Sequence, residues 1–160
     1  MELNKGYKEV EILAYFMQYS GRTIFSNIDL VCYEDKYYDS YKIVYEECFY
    51  EMRKALELVP YNCCDSKGKL GEKKSDIFLL VAGNEIIGSV AIYGNEIDDL
   101  IVNKKYQGQG YGKKLLFFAI SYMQKNKIEP IKLCVLKWNE KAVNLYEKYG
   151  FKCAKIEKVR

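Results

Sequence analysis

Two Gly-Asn dipeptides, Gly83-Asn84 and Gly94-Asn95, divide the middle of this 160-residue chain into three short apolar runs: Ile77 to Ala82, Ile86 to Tyr93 and Ile97 to Val102. Glycine and asparagine accept the positive backbone angles of a tight hairpin turn, so the three runs are predicted to lie side by side as an antiparallel meander. The third run leads into Gln107-Gly108-Gln109-Gly110-Tyr111-Gly112, three glycines within five residues. A helical pattern follows from about Tyr111, with Leu115, Leu116, Ala119, Ile120 and Met123 on one face. Glycines let the backbone come close to a bulky anion, and a helix beginning there aims unpaired N–H groups and the positive end of its dipole at the same spot. The segment therefore predicts a diphosphate cradle.

The flanking segments complete a mixed pattern. Residues 7 to 19, with Tyr7, Val10, Leu13, Phe16 and Met17, have helical spacing, and Ile28 to Tyr33 reads as a strand. Asp35 is placed to cap a long helix whose positions Tyr41, Val44, Tyr45, Cys48, Phe49, Met52 and Leu56 keep a three-four step. Pro60 lies past its end, and residues 61 to 75 read as a polar loop. Beyond the glycine segment, Ile131 to Leu136 is a strand. Asn139 caps a short helix bearing Ala142, Leu145 and Tyr146, Gly150 closes it, and Phe151 to Glu157 is a last strand. From residue 28 on, the order β, α, βββ, α, β, α, β is that of a mixed α/β (α+β) domain.

Composition narrows the chemistry. The chain has no histidine, which excludes Ser-His-Asp and Cys-His catalysis and any histidine-ligated metal. A net charge of +3 is too small to argue for nucleic acid. The six cysteines contain no C-x-x-C pair, the first residues lack an apolar signal core, and no run approaches membrane-spanning length. These features predict a reduced, cytoplasmic protein with no membrane or metal partner. The sixteen tyrosines suit core edges and a half-wet cleft.

Two common phosphate motifs fail. A Walker loop needs G-x-x-x-x-G-K-[ST], but Lys114 stands in the Ser/Thr place and the glycine spacing is wrong. The dinucleotide fingerprint puts Lys113 at its third glycine, and too little chain follows for a doubly wound sheet. What remains is Q/R-x-x-G-x-G/A, filled by Gln107, Gly110 and Gly112. With this loop, and with Asn139-Glu140-Lys141-Ala142-Val143-Asn144-Leu145-Tyr146-Glu147-Lys148-Tyr149-Gly150-Phe151 matching N-x-x-A-x-x-L-Y-x-x-x-G-F, the chain resembles the GNAT N-acetyltransferase superfamily. The resemblance covers about residues 28 to 160, so residues 1–27 are expected to be an N-terminal extension packed on a 28–160 acetyltransferase domain.

The resemblance implies a mostly antiparallel central sheet with flanking helices, in which Ile97 to Val102 and Ile131 to Leu136 are a splayed parallel pair. It implies acetyl-CoA as cosubstrate. Pantetheine would pair with the backbone of Leu100, Ile101 and Val102, and an N–H near Ile101 or Val102 would polarise the thioester carbonyl. The diphosphate would take N–H groups from Gln107, Gly108, Gln109, Gly110, Tyr111, Gly112 and Lys113, and Asn139 would bond the cofactor arm. Tyr146 matches the general acid that protonates the departing thiol, a task for which a neutral phenol is suited. Glu96, six residues before Val102, stands where some relatives carry a catalytic glutamate. Simple alternation puts Glu96, Asp98, Leu100 and Val102 on one strand face, and Ile97, Asp99 and Ile101 on the other. Asp98 and Asp99 are nearby, and the family also uses ordered water as a proton path, so the base stays open among these three carboxylates and water. The acceptor would be a primary amine on a small molecule or peptide, and a homodimer is compatible with the resemblance. Two other classes fit the loop: a non-catalytic acyl-CoA-binding or sensor module, and a nucleotide-binding protein.

Overall fold

A computed structural model describes residues 10–160. In chain order the elements are β1 (Leu13–Tyr19), β2 (Val31–Cys32), α1 (Tyr38–Ala55), α2 (Lys67–Glu72), β3 (Ile77–Ala82), β4 (Glu85–Tyr93), β5 (Glu96–Val102), α3 (Tyr111–Lys125), β6 (Lys132–Leu136), α4 (Glu140–Lys148) and β7 (Phe151–Lys158). The seven strands form one sheet, in the order β2-β3-β4-β5-β6-β1-β7. All neighbours are antiparallel except β5 and β6, which run parallel. The meander β3-β4-β5 stands as the Gly-Asn turns require, with Gly83 and Gly94 both at φ 62°.

Each face of the sheet buries its own core. On one side α3 and α4 lay Leu115, Leu116, Ala119, Ile120, Met123, Val143 and Tyr146 against Val90, Ile97, Leu133 and Phe151. On the other, α1 and α2 lay Tyr41, Val44 and Leu70 against Ile77, Leu79, Ile86 and Ile101. A helix seats on β4 closely because Gly88 has no side chain; a Cβ there would stand 2.7 Å from Leu115 Cδ1 and 2.8 Å from the Ile101 carbonyl.

Four sequence expectations are corrected. Residues 13–19 form a strand, where a helix over 7–19 was expected; Tyr7 lies outside the described residues. The sheet is covered on both faces, so Ala14 and Met17, on opposite faces of this strand, are both buried three residues apart, a spacing that imitates a helix. This strand sits between β6 and β7 inside the sheet. Asp35 does not cap α1: a 3-10 turn over Asp35–Tyr37 intervenes, and Tyr37 precedes the helix without a side-chain cap. Within the expected loop 61–75, Ser66 caps α2 by accepting the Lys69 N–H at 3.3 Å, and Leu70 is buried beneath it. The strand expected over 28–33 is reduced to Val31–Cys32 at the sheet edge.

Among the described residues no helix is long and apolar enough to cross a membrane.

Candidate active site

The parallel pair β5-β6 meets at only two positions, Glu96 with Lys132 and Ile97 with Leu133. Beyond them β6 stays bound to β1 over five pairs, Leu136 facing Ala14 through Lys132 facing Gln18. The sheet therefore forks after Ile97. On the other edge of β5, Ile101 faces Ser89 and the Asn103 N–H donates to the Ile87 carbonyl at 2.8 Å. Since alternate residues of an antiparallel strand bond to one neighbour, Leu100 and Val102 turn their peptide groups into the fork. There the Val102 carbonyl accepts from Gln107 Nε2 at 3.0 Å and from Cys48 Sγ at 3.1 Å.

The glycine loop closes the far side. Gly108 (φ 78°) and Gly110 (φ 86°) both lie in the left-handed region, where a side chain is strained. Gly110 is the residue before α3 and offers no side-chain cap. The first helical bond is from the Lys114 N–H to the Gly110 carbonyl at 3.2 Å, so the N–H groups of Tyr111, Gly112 and Lys113 have no partner within the helix. Gly112 is under no such strain; a Cβ there would make only an ordinary 3.7 Å contact with Leu145. Asn139 uses its side-chain oxygen to cap α4, accepting the Ala142 N–H at 3.2 Å, which leaves its amide NH₂ free to donate.

These parts line one cavity of about 580 Å³. Leu100, Ile101, Val102, Gln107, Gly108, Gly110, Tyr111, Gly112, Lys113 and Asn139 all border it. Gln109, exposed within the loop, does not. The Lys113 ammonium lies 5.3 Å from the ring centroids of both Phe117 and Tyr149. Sequence reasoning did not assign Cys48, Phe49 and Met52 of α1 to this wall, nor Trp138, Lys141 and Lys148 opposite. One signal was available: Trp138, the single tryptophan, is 46% exposed beside the Asn139 cap.

The two residues expected to be catalytic stand apart from the lining. Glu96 is exposed at the start of β5, before the fork, and does not border the cavity. Tyr146 lies under the sheet, 8% exposed, with its ring 5.9 Å from that of Phe151. Its hydroxyl has no hydrogen-bond partner among the described residues. Burial, reinforced by the charge of Asp98, pushes its pKa up to about 12. The phenol is thus held protonated, as a donor should be.

Simple alternation fails on β5. Ile97 packs with α3 on one face and Ile101 with α1 on the other, although they stand four positions apart. The cause is a bulge: Ala91 faces Asp98 and Ser89 faces Ile101, so one β4 residue opposes two on β5. Asp99, in that bulge, has φ 47°. Burial, then the neighbouring Asp98 charge, raises its carboxyl to about 6, against a hydrogen bond from the Tyr45 hydroxyl at 3.1 Å that works to lower it.

Comparison with known proteins gives consistent relatives. An acetyltransferase from the GNAT family of Colwellia psychrerythraea superposes with a TM-score of 0.67 at 14% identity, covering 92% of this chain and 55% of that one. The PaiA N-acetyltransferase of Thermoplasma acidophilum, solved in complex with coenzyme A, superposes with a TM-score of 0.61 at 24% identity, covering 79% of this chain and 90% of that one. Both likenesses bear on the fold. Among curated proteins, the thialysine N-epsilon-acetyltransferase of Mus musculus is 37% identical over 54 residues, 34% of this chain. That match spans about a third of the mouse enzyme, 32% of its length. The sequence model of the acetyltransferase (GNAT) family matches residues 31–151, from β2 to the first residue of β7. By that match, which takes in the fork, the glycine loop and the Asn139 cap, this chain belongs to the GNAT acetyltransferase family.

Proposed function

We propose that the protein moves the acetyl group of acetyl-CoA to a primary amine by direct attack of the amine on the thioester. One observation carries the reading: the unpaired edge of β5, the left-handed glycines and the open N-terminus of α3 all face a single cavity. The free amides of Tyr111, Gly112 and Lys113 suit a diphosphate. The backbone of Leu100 to Val102 suits the amide groups of a pantetheine arm, and the Asn139 NH₂ a carbonyl along it. An N–H of β5 in the fork would polarise the thioester carbonyl, whose oxygen gains charge as the amine adds. Tyr146 then gives its proton to the departing thiolate.

The acceptor must lose a proton first. An alkylamine has a pKa near ~10.4, so only about one molecule in a few thousand is neutral at pH 7. The thialysine enzyme among the relatives makes a lysine-like side-chain amine a first acceptor to try. Incubating the protein with acetyl-CoA and a panel of amines should release free thiol with at least one of them. In a thermal-shift comparison, coenzyme A should stabilise the protein while ATP and NAD should not. Binding of coenzyme A without turnover of any amine would point instead to an acyl-CoA-binding module, and stabilisation by NAD alone would reject the reading.

A further inference from the structure

The cradle proposed for the diphosphate has almost no backbone bonds of its own. From Gly108 to Lys113 no backbone N–H donates to a backbone carbonyl among the described residues, and the Gln107 N–H reaches the Lys104 carbonyl only at 3.4 Å. Free amides suit an anion, but they bind it well only if they already stand in place. A loop this open is placed by its flanks. On the β5 side Gln107 Nε2 donates to the Val102 carbonyl at 3.0 Å, and the residue before it, Tyr106, is tied to β4.

The tie follows from the strand pairing. β4 and β5 are antiparallel, with Gly88 facing Val102, so the first residue of β4 lies beside the chain that leaves β5. That residue is Glu85, directly after the Gly83-Asn84 turn. Its two carboxylate oxygens are divided: Oε1 accepts from the Lys105 ammonium, and Oε2 accepts from the Tyr106 hydroxyl at 2.6 Å. Asn103 fastens the same stretch, its side-chain NH₂ donating to the Ile86 carbonyl at 3.0 Å and its Oδ1 accepting the Lys105 N–H at 3.1 Å. Tyr106 is half-buried and borders the cavity. Its ring meets that of Tyr111 edge-on, with 6.1 Å between centroids. Tyr111 opens α3 and carries the first of the three free helix amides. Glu85, Tyr106 and Tyr111 thus make one chain of contacts from β4 to the anion donors.

By charge alone, a carboxylate here is a disadvantage. It lies one side chain away from a cavity suited to a diphosphate, and like charge works against such a ligand. Hydrogen bonds from Lys105, and then from Tyr106, hold the Glu85 carboxyl below its ordinary range, so it stays ionised at neutral pH. Its ion pair with Lys105 is exposed and adds little to the fold. What the carboxylate does supply is a strong acceptor at fixed reach for the Tyr106 hydroxyl.

We propose, resting on the acetyl-transfer reading, that Glu85 is a positioning residue of the cofactor site: through the Tyr106 hydroxyl it holds the glycine loop and the start of α3 in the arrangement that receives coenzyme A. Two effects of its removal then have opposite signs. Loss of a negative charge tightens the binding of an anion, whereas loss of the tie weakens it, because the ligand must order the loop itself.

Calorimetric titration with coenzyme A at low and high salt separates the two. Glu85→Ala should raise the dissociation constant roughly 5- to 20-fold over wild type, and that ratio should persist at high salt, where a charge effect fades. Tyr106→Phe keeps the ring against Tyr111 and should lose a similar amount. The double variant should lose no more than either single one, since both cut the same tie. Glu85→Gln still offers the hydroxyl an oxygen and should recover most of the affinity. Melting curves check that each variant is folded; if Glu85→Ala is not, Tyr106→Phe and Glu85→Gln decide the outcome. Tighter or unchanged binding by folded Glu85→Ala, unchanged binding by Tyr106→Phe, or additive losses in the double variant would overturn this assignment alone. Absence of coenzyme A binding in the wild-type protein would overturn the acetyl-transfer reading, and this assignment with it.

Discussion

Asp99 and Tyr146 are both shifted upward by burial, with different results near neutral pH. The phenol stays protonated there, whereas the carboxyl is brought up to about 6. The aspartate also weakens the fold. Its folded-state pKa of about 6 exceeds the unfolded value, so its stabilising protonated form is fully present only below about pH 4 and is lost as pH rises through 6. Asp99→Asn should therefore raise stability by about 1–3 kcal/mol at pH 7.5 and by almost nothing at pH 4, a difference read from urea melts at the two values. A gain that is the same at both would mean the carboxylate is well solvated. Tyr146→Phe removes one oxygen that bonds to nothing in the free protein. Its melting midpoint should stay close to wild type while kcat falls roughly 10- to 100-fold with unchanged acetyl-CoA affinity; an unaltered kcat would dismiss the phenol as the acid. The left-handed turns at Gly108 and Gly110 and the helix cap by Asn139 were readable from sequence because glycine and asparagine are the types those positions demand. The face on which Asp99 and the residues after it stand was not, because one extra residue in a strand leaves no trace in composition and reverses the side on which every later residue stands.

At the level of elements, the start of α3 separates two glycines that the loop motif treats alike. Gly110 holds φ 86°, so Gly110→Ala should destabilise by about 1–2 kcal/mol and misdirect the amides that follow. Gly112 carries no such strain, and Gly112→Ala should fold normally; any loss of acetyl-CoA affinity there, measured by calorimetry, would report crowding of the ligand itself. If both variants bind acetyl-CoA like wild type, the loop is not the diphosphate cradle. The strands of the meander were legible almost to the residue, since Gly-Asn turns and β-branched runs leave little choice. Two elements were hidden for identifiable reasons. Burial on both faces of β1 gave a strand the spacing of a helix, and α2 carries two glycines and two lysines around a single buried leucine, a composition that reads as solvent-facing loop.

Across the whole molecule, the fork depends on a strand that the family match does not include. β6 is held by two pairs to β5 and by five to β1. Met17, 1% exposed at the centre of β1, joins the core that α3 covers. Met17→Ala should cost about 2–4 kcal/mol, and hydrogen exchange should speed up in β6 and β7 before it does in the meander. Uniform loosening would show that β1 has no special hold on that side of the sheet. The same arrangement bears on how the polypeptide reaches its native state. Met17 faces Cys153, and Tyr19 faces Phe151, so β1 finds its outer neighbour only after every other described strand has been made. Such long-range closure is slow, and until it happens β1 has an unsatisfied edge. During synthesis this half of the sheet stays open to mispairing with other nascent chains, a hazard that ends only when β7 is in place.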